Sequence, residues 1–285
     1  MYYLLIIVSV LLFGGNFWCS DAYRKAQNDS SLRANMRFSL ICGICGLTIM
    51  LTINGFRFNV TPFSLIMALI AIINGYTLTF CVFKALKTIN LSLYSLFSQI
   101  GGMTLPFLQG IIFYGENLTT AKILCFVFIT ISLLLTIKKG AKKSDIIYYI
   151  GIFVLNGMSG VLSKIFVSAP FEKVSSAEYS ILSASLSVMV SSLFLIFTRK
   201  KKLSKLNSKS ILMSSLSGSL NKLGNFILLI ALSHVDSSVQ YPMVTGGIII
   251  VSTIISYFGD KKPNKKELLS VAAAFLGLLF LFILP

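Results

Sequence analysis

Apolar residues along this chain fall into ten runs, most of them closed by a glycine, a proline or a knot of basic residues. Each run approaches the ~20 apolar positions that an α-helix needs to cross the ~30 Å hydrocarbon layer of a bilayer. The pattern predicts helices over 2–19, 34–53, 62–86, 91–113, 118–137, 146–168, 176–197, 210–232, 239–258 and 266–284. The polar stretch from Asp21 to Arg33 then reads as a loop. Pro62 suits the first turn of the third helix, Asp145 is placed to cap the sixth, and Pro170 follows its end.

The grammar of these runs is written twice. Ala85-Leu86-Lys87, Gly101-Gly102 and Tyr114-Gly115-Glu116 are echoed by Ala231-Leu232-Ser233, Gly246-Gly247 and Phe258-Gly259-Asp260, at an offset that drifts only from 146 to 144 residues. The chain therefore divides into two related repeats, 1–140 and 141–285, of five helices each. An odd number of crossings turns the second repeat upside down relative to the first, an arrangement found in many secondary transporters.

Composition agrees with a lipid solvent. Of the 285 residues 55% are apolar and 12% charged, too few to make a water-facing surface. The net charge of +16 raises the possibility of nucleic-acid binding, but the Lys and Arg residues sit at the ends of apolar runs, and the basic stretch from Arg199 to Lys209 has no interleaved aromatics on which bases could stack. No nucleic-acid partner is expected; that stretch suits an anionic lipid surface. The five cysteines lie in or beside apolar runs, and one His cannot complete a metal site with Cys42 and Cys45, so neither metal nor cofactor is expected. No basic stretch precedes the first run and no small-residue cleavage pattern follows it, so a removable leader is not expected.

Gly14-Gly15-Asn16-Phe17 in the first helix, Ala85-Leu86 at the end of the third, and the acidic turn Gly115-Glu116 with its echo Gly259-Asp260 together resemble the drug/metabolite transporter superfamily, of the EamA-like kind. The resemblance covers the whole chain. It implies an all-α membrane protein with ten transmembrane helices as two inverted EamA-like repeats, helices 1, 3, 4, 6, 8 and 9 lining a central cavity and helices 5 and 10 at the periphery. Such proteins often carry a proline inside helices 4 and 9, where this reading places Gly101-Gly102 and Gly246-Gly247 instead, pairs that can bend a helix or admit a close neighbour. They also usually keep both termini in the cytoplasm. Here Arg24, Lys25, Arg33, Lys87, Lys138 to Lys143, Arg199 to Lys209 and Lys261 to Lys266 flank the odd-numbered connections, so the charge bias places both termini outside a plasma membrane.

Lys222 stands out, because a charge near the middle of a spanning helix costs about 2.5–3.5 kcal/mol on insertion scales. Either it faces a cavity and attracts a carboxylate or phosphate, or its helix starts later and it snorkels to an interface. Asn221 and Asn225 extend its polar face, and Asn74 with Tyr76 offers a counterpart in the third helix. Gln99 in the fourth helix and Gln240, Tyr241 and Thr245 in the ninth could hydrogen-bond a substrate, or glue helices together. Asn16 and Trp18 in the first helix are loosely echoed by Asn156 and Ser159 in the sixth, and Trp18, close to a helix end, reads more readily as an interfacial anchor.

Glu178, whose repeat counterpart is Arg33, is a candidate for proton coupling, but a helix first-turn carboxylate stabilised by the dipole is the favoured reading. Glu116 and Asp260 read as caps of the helix that follows each. His234 beside Asp236 reads as a solvated loop residue, with pH sensing as its alternative. The expected function is a secondary transporter, driven by a gradient or by exchange, of a small polar metabolite, amino-acid-like or anionic. A flippase of lipid-linked or head-group substrates is the alternative. With no nucleotide-binding loop, paired intramembrane carboxylates or metal cluster, an enzyme is not expected. The pattern leaves monomer or homodimer open, the small-residue faces Gly157-x-x-Gly160 and Ser214 to Ser219 being compatible with packing inside one bundle.

Overall fold

The structure is a computed structural model that describes residues 2–27, 31–85, 91–135, 146–198, 206–258 and 265–284. Among these residues the chain forms ten α-helices and no strand: α1 (Tyr2–Gln27), α2 (Leu32–Ile53), α3 (Pro62–Ala85), α4 (Leu91–Tyr114), α5 (Thr120–Leu135), α6 (Ile146–Ser168), α7 (Ser176–Phe197), α8 (Ser208–Leu232), α9 (Ser237–Phe258) and α10 (Lys265–Ile283). Seven of them, α1, α2, α3, α6, α7, α8 and α9, hold stretches long and apolar enough to cross a membrane, and α5 and α10 are shorter apolar helices. The Asp145 cap, the Gly259-Asp260 turn and the basic residues Lys87, Lys138 to Lys143, Arg199 to Lys205 and Lys261 to Lys262 lie outside the described residues.

Local chemistry sets several of the helix ends. Ser31 begins α2 by accepting the Ala34 N–H at 3.1 Å, and Ser175, 144 positions later, begins α7 in the same extended conformation. Each hydroxyl satisfies one of the four N–H groups that a helix start leaves unpaired. Pro62 opens α3, and Gly115, with φ of +64°, turns the chain after α4 through the left-handed region that glycine tolerates.

The first helix does not stop near Cys19 but runs to Gln27. Its added turns are amphipathic: Asp21 pairs with Lys25 at 2.7 Å on the exposed side, while Tyr23 is buried with its ring 4.7 Å from that of Phe38. Gln27, also buried, donates to Ser210 at 2.8 Å and accepts from Arg37 at 2.6 Å. Trp18 accordingly lies well inside a helix rather than close to its end.

A second correction concerns proline. Pro106 lies inside α4 and Pro242 inside α9, both fully buried, so these helices carry prolines as well as their glycine pairs. Each proline removes one ladder hydrogen bond and crowds the preceding turn. The glycines serve packing. A Cβ on Gly101 would strike the backbone of Phe153 in α6, and one on Gly102 would displace the Asn156 amide.

The helices gather into two compact units, each assembled from both halves of the chain. One comprises residues 1–10, 74–168 and 231–285 and packs α4 on α6, α5 on α10, and α9 on α4 and α10. Its core includes Met103, Cys125, Ile129, Leu133, Ile249 and Ala274, with Ser132 and Ser270 hydrogen-bonded between α5 and α10. The other comprises residues 11–73 and 169–230 and packs α2 on α7 around Met50, Ala177 and Ile181. Of the most apolar stretch of α9, 61% is buried, against 11% in α3, whose Ile66, Ile70 and Ile73 are exposed. Apolar exposure of that kind suits lipid rather than water.

Candidate functional site

In the second unit, α1, α2, α7 and α8 surround a cleft of about 300 Å³ lined by Asn16, Ser20, Phe38, Ser39, Cys42, Gly43, Ser187, Ser217, Gly218, Asn221 and Lys222. Missing side chains shape it. Gly218 lets α8 approach the Cys42 backbone of α2, where a Cβ would collide, and Gly46 leaves room for the aliphatic stem of Lys222. The thiol of Cys42 donates to the Ser214 carbonyl at 3.2 Å, fastening the same two helices.

Lys222 reaches Ser183 of α7, its ammonium donating to Oγ at 3.0 Å. The hydroxyl proton of Ser183 is spent on the Ser180 carbonyl at 3.0 Å, so Oγ faces the lysine as an acceptor. Among the described residues no carboxylate pairs with Lys222. Ser217 donates to Asn16 Oδ1 at 2.6 Å and lies 3.0 Å from the Ser20 hydroxyl. A hydroxyl has one proton to give, so the chain of donors runs from Ser20 to Ser217 to Asn16. Asn225 donates to the Asn221 carbonyl at 2.8 Å and to Asn221 Oδ1 at 3.2 Å.

The cleft thus brings Asn16, Asn221 and Lys222 together, with Asn225 attached at its exposed side. Trp18 is 52% exposed and is not among the lining residues. Ser20, Ser39, Ser187 and Ser217, absent from the sequence-based candidates, also line it. Their signal was faint: Ser217 and Gly218 stand four positions before Asn221 and Lys222, on one helix face.

The remaining substrate-binding candidates lie in the other unit. Asn74 donates to the Leu155 carbonyl at 2.9 Å and to Ser159 at 3.1 Å. Asn156 donates to the Ser98 carbonyl at 2.6 Å, and the Tyr241 hydroxyl donates to the Gly160 carbonyl at 3.0 Å. Each of these side chains ties one helix to the backbone of another. Gln240 and Thr245 are buried, and Tyr76 and Gln99 are half-buried.

Glu116 is the best-partnered carboxylate of that unit among the described residues, and it does not cap the helix that follows it. Its Oε1 accepts from Lys164 Nζ, the Ser237 N–H and the Ser237 hydroxyl at 2.8, 2.8 and 2.9 Å, and Oε2 accepts from the Ser238 N–H at 2.8 Å. The carboxylate therefore caps α9, more than a hundred residues further on, by filling two of its unpaired N–H groups at the positive end of the dipole. Gly110 makes the space, since a Cβ there would meet both the carboxylate and Ser237. Lys164 also lies over the Tyr114 ring, 5.2 Å from its centroid. Burial pushes the Glu116 carboxyl up, but the ammonium of Lys164 and the donors of Ser237 and Ser238 outweigh it and hold the pKa at about 2. Nearby, Lys122 pairs with Asp236 at 2.8 Å, and the ring of His234 stacks on Tyr2 at 3.9 Å.

Glu178 is equally occupied. It forms a capping box with Ser175 and accepts the Asn59 N–H at 3.1 Å and Nδ2 at 2.9 Å. All of its observed partners anchor the start of α7 and the segment before α3.

No protein-family model matches the chain, and no curated protein matches it. A solved structure, described only as "Crystal structure of protein", is similar with a TM-score of 0.80 at 14% identity, covering 100% of this chain and 99% of that one. At that identity the likeness is one of fold.

Proposed function

We propose that this chain is a multi-pass plasma-membrane carrier of the EamA-like drug/metabolite transporter kind. Its ten helices span the bilayer as two inverted five-helix repeats around a central cavity and move a small polar metabolite by alternating access. The observation that carries the reading is the Lys222 ammonium, held in a polar cleft without a carboxylate partner among the described residues. A lone charge on a spanning helix is expensive and most often marks a substrate or ion pathway. The motif grammar written twice along the chain supports the repeat.

The test is thermal unfolding of the purified protein in detergent across amino acids, organic acids, amines, nucleosides, sugars and polyprenyl phosphates, followed by uptake of each stabilising compound into proteoliposomes. A compound that binds the folded state raises its apparent stability by mass action. At least one soluble compound is expected to stabilise the protein and to be taken up, with both effects lost in Lys222→Met. Stabilisation by polyprenyl phosphates alone would replace the carrier with a lipid-linked flippase. A Lys222→Met protein that responds like wild type would remove the site.

A further inference from the structure

Resting on the carrier reading above, we infer that the Lys222 cleft selects small hydroxylated organic anions over the matching amino acids and amines. The direction of its hydrogen bonds supports this. Asn16 Oδ1 already receives Ser217, and Asn221 Oδ1 already receives Asn225. Both side-chain amides thus turn their acceptors to protein donors, while no described residue accepts from the Nδ2 of either. Lys222 has three N–H bonds and one protein acceptor, Ser183. The Cys42 thiol and the Ser183 hydroxyl also point their protons at backbone carbonyls.

Toward a ligand the cleft therefore presents one positive charge, two unspent amide donor groups and serine hydroxyls. None of its lining residues is Asp or Glu. A carboxylate or phosphate has only acceptors and meets these donors with charge-assisted bonds. A ligand ammonium has only donors and would meet the Lys222 charge with no carboxylate among the lining residues to offset it. Zwitterions suffer the same repulsion at one of their two ends. The Ser39 hydroxyl can serve the skeleton in either direction, and the Ser20 oxygen, whose proton goes to Ser217, can accept from it. A volume of about 300 Å³ stands at the small end of ligand sites and suits a compound of a few carbons.

Two matched series test this on the full-length protein in detergent: glycerate, serine, serinol and glycerol, and gluconate, glucosaminate, glucosamine and glucose. Within each, skeleton size is nearly constant while the charge changes. The anion of at least one series is expected to raise the unfolding temperature, with its matched amino acid, amine and polyol binding at least tenfold more weakly. Lys222→Met is expected to unfold like wild type without ligand and to bind that anion at least tenfold more weakly. Should Lys222→Met fail to fold, Asn221→Asp provides the second variant: it puts a carboxylate in the cleft and is expected to weaken the anion at least tenfold relative to the amine.

Binding of serine, serinol, glucosaminate or glucosamine as tight as that of the matched anion overturns the inference, and so does binding by no member of either series. Uptake into proteoliposomes separates it from the carrier reading. An anion that binds but is not taken up leaves the selectivity standing and sinks the carrier, whereas uptake of the amine or amino acid in preference to the anion does the reverse.

Discussion

Glu116 shows how much one side chain can hold together. Its carboxylate takes four hydrogen bonds, from Lys164 on α6 and from Ser237 and Ser238 at the start of α9, and it is itself buried. Removing one partner of a buried ion pair strands the other charge and costs roughly 3–5 kcal/mol. Glu116→Gln and Lys164→Met are each expected to lower the unfolding temperature at neutral pH, and the double variant is expected to cost less than their sum. The pH dependence has a definite sign. With a folded pKa of about 2 and an unfolded value of ~4.3, the ionised group stabilises fully above the unfolded value and loses that contribution as pH falls toward the folded one. The gap between wild type and Glu116→Gln should therefore be constant from pH ~7 to ~5 and narrow below ~4. Thermal unfolding in detergent over that range checks it, and a gap independent of pH would contradict the assignment. Lys222 was legible as a candidate because a charge inside an apolar run is conspicuous. The role of Glu116 was not, because Lys164 and Ser237 are distant in sequence and only folding brings them to it.

At the scale of the element, the helices were legible nearly to their ends, since apolar runs in lipid leave the backbone no alternative to internal hydrogen bonding. The exception, α1, continues past its apolar run because Tyr23 and Gln27 find partners on other helices, Phe38, Ser210 and Arg37. The glycine pairs were visible too, but not the difference between them. Gly101 faces backbone: a Cβ would land on the Phe153 carbonyl of α6, which cannot move without displacing the helix. Gly246 faces side-chain carbons of Ile129 and Leu278, at 3.1 and 3.3 Å. Gly101→Ala is expected to destabilise by roughly 2 kcal/mol or more, and Gly246→Ala by less than about 1 kcal/mol, because overpacking is relieved cheaply only where the neighbour can rotate away. Comparing the unfolding temperatures of the two variants measures this, and equal effects would contradict the packing described for α4 on α6.

For the whole molecule, lysines and arginines concentrated at the odd-numbered connections should set the orientation in the membrane. A reporter active only in the cytoplasm, fused at Pro285, is expected to be silent, while the same reporter inserted after Lys205 should be active; activity at Pro285 would reverse the orientation. What the sequence determined by itself is what short-range physics can enforce: a lipid solvent, ten helices, most of their ends, and a conspicuous charge at Lys222. The tertiary structure decided the partnerships. It gathered residues from both halves of the chain into each compact unit, sent Glu116 to α9 rather than to its neighbour, and turned the amide acceptors of Asn16 and Asn221 toward Ser217 and Asn225. Hydrogen bonds between side chains depend on direction and on atoms far apart in the chain, and hydropathy, which sums local transfer energies, contains neither.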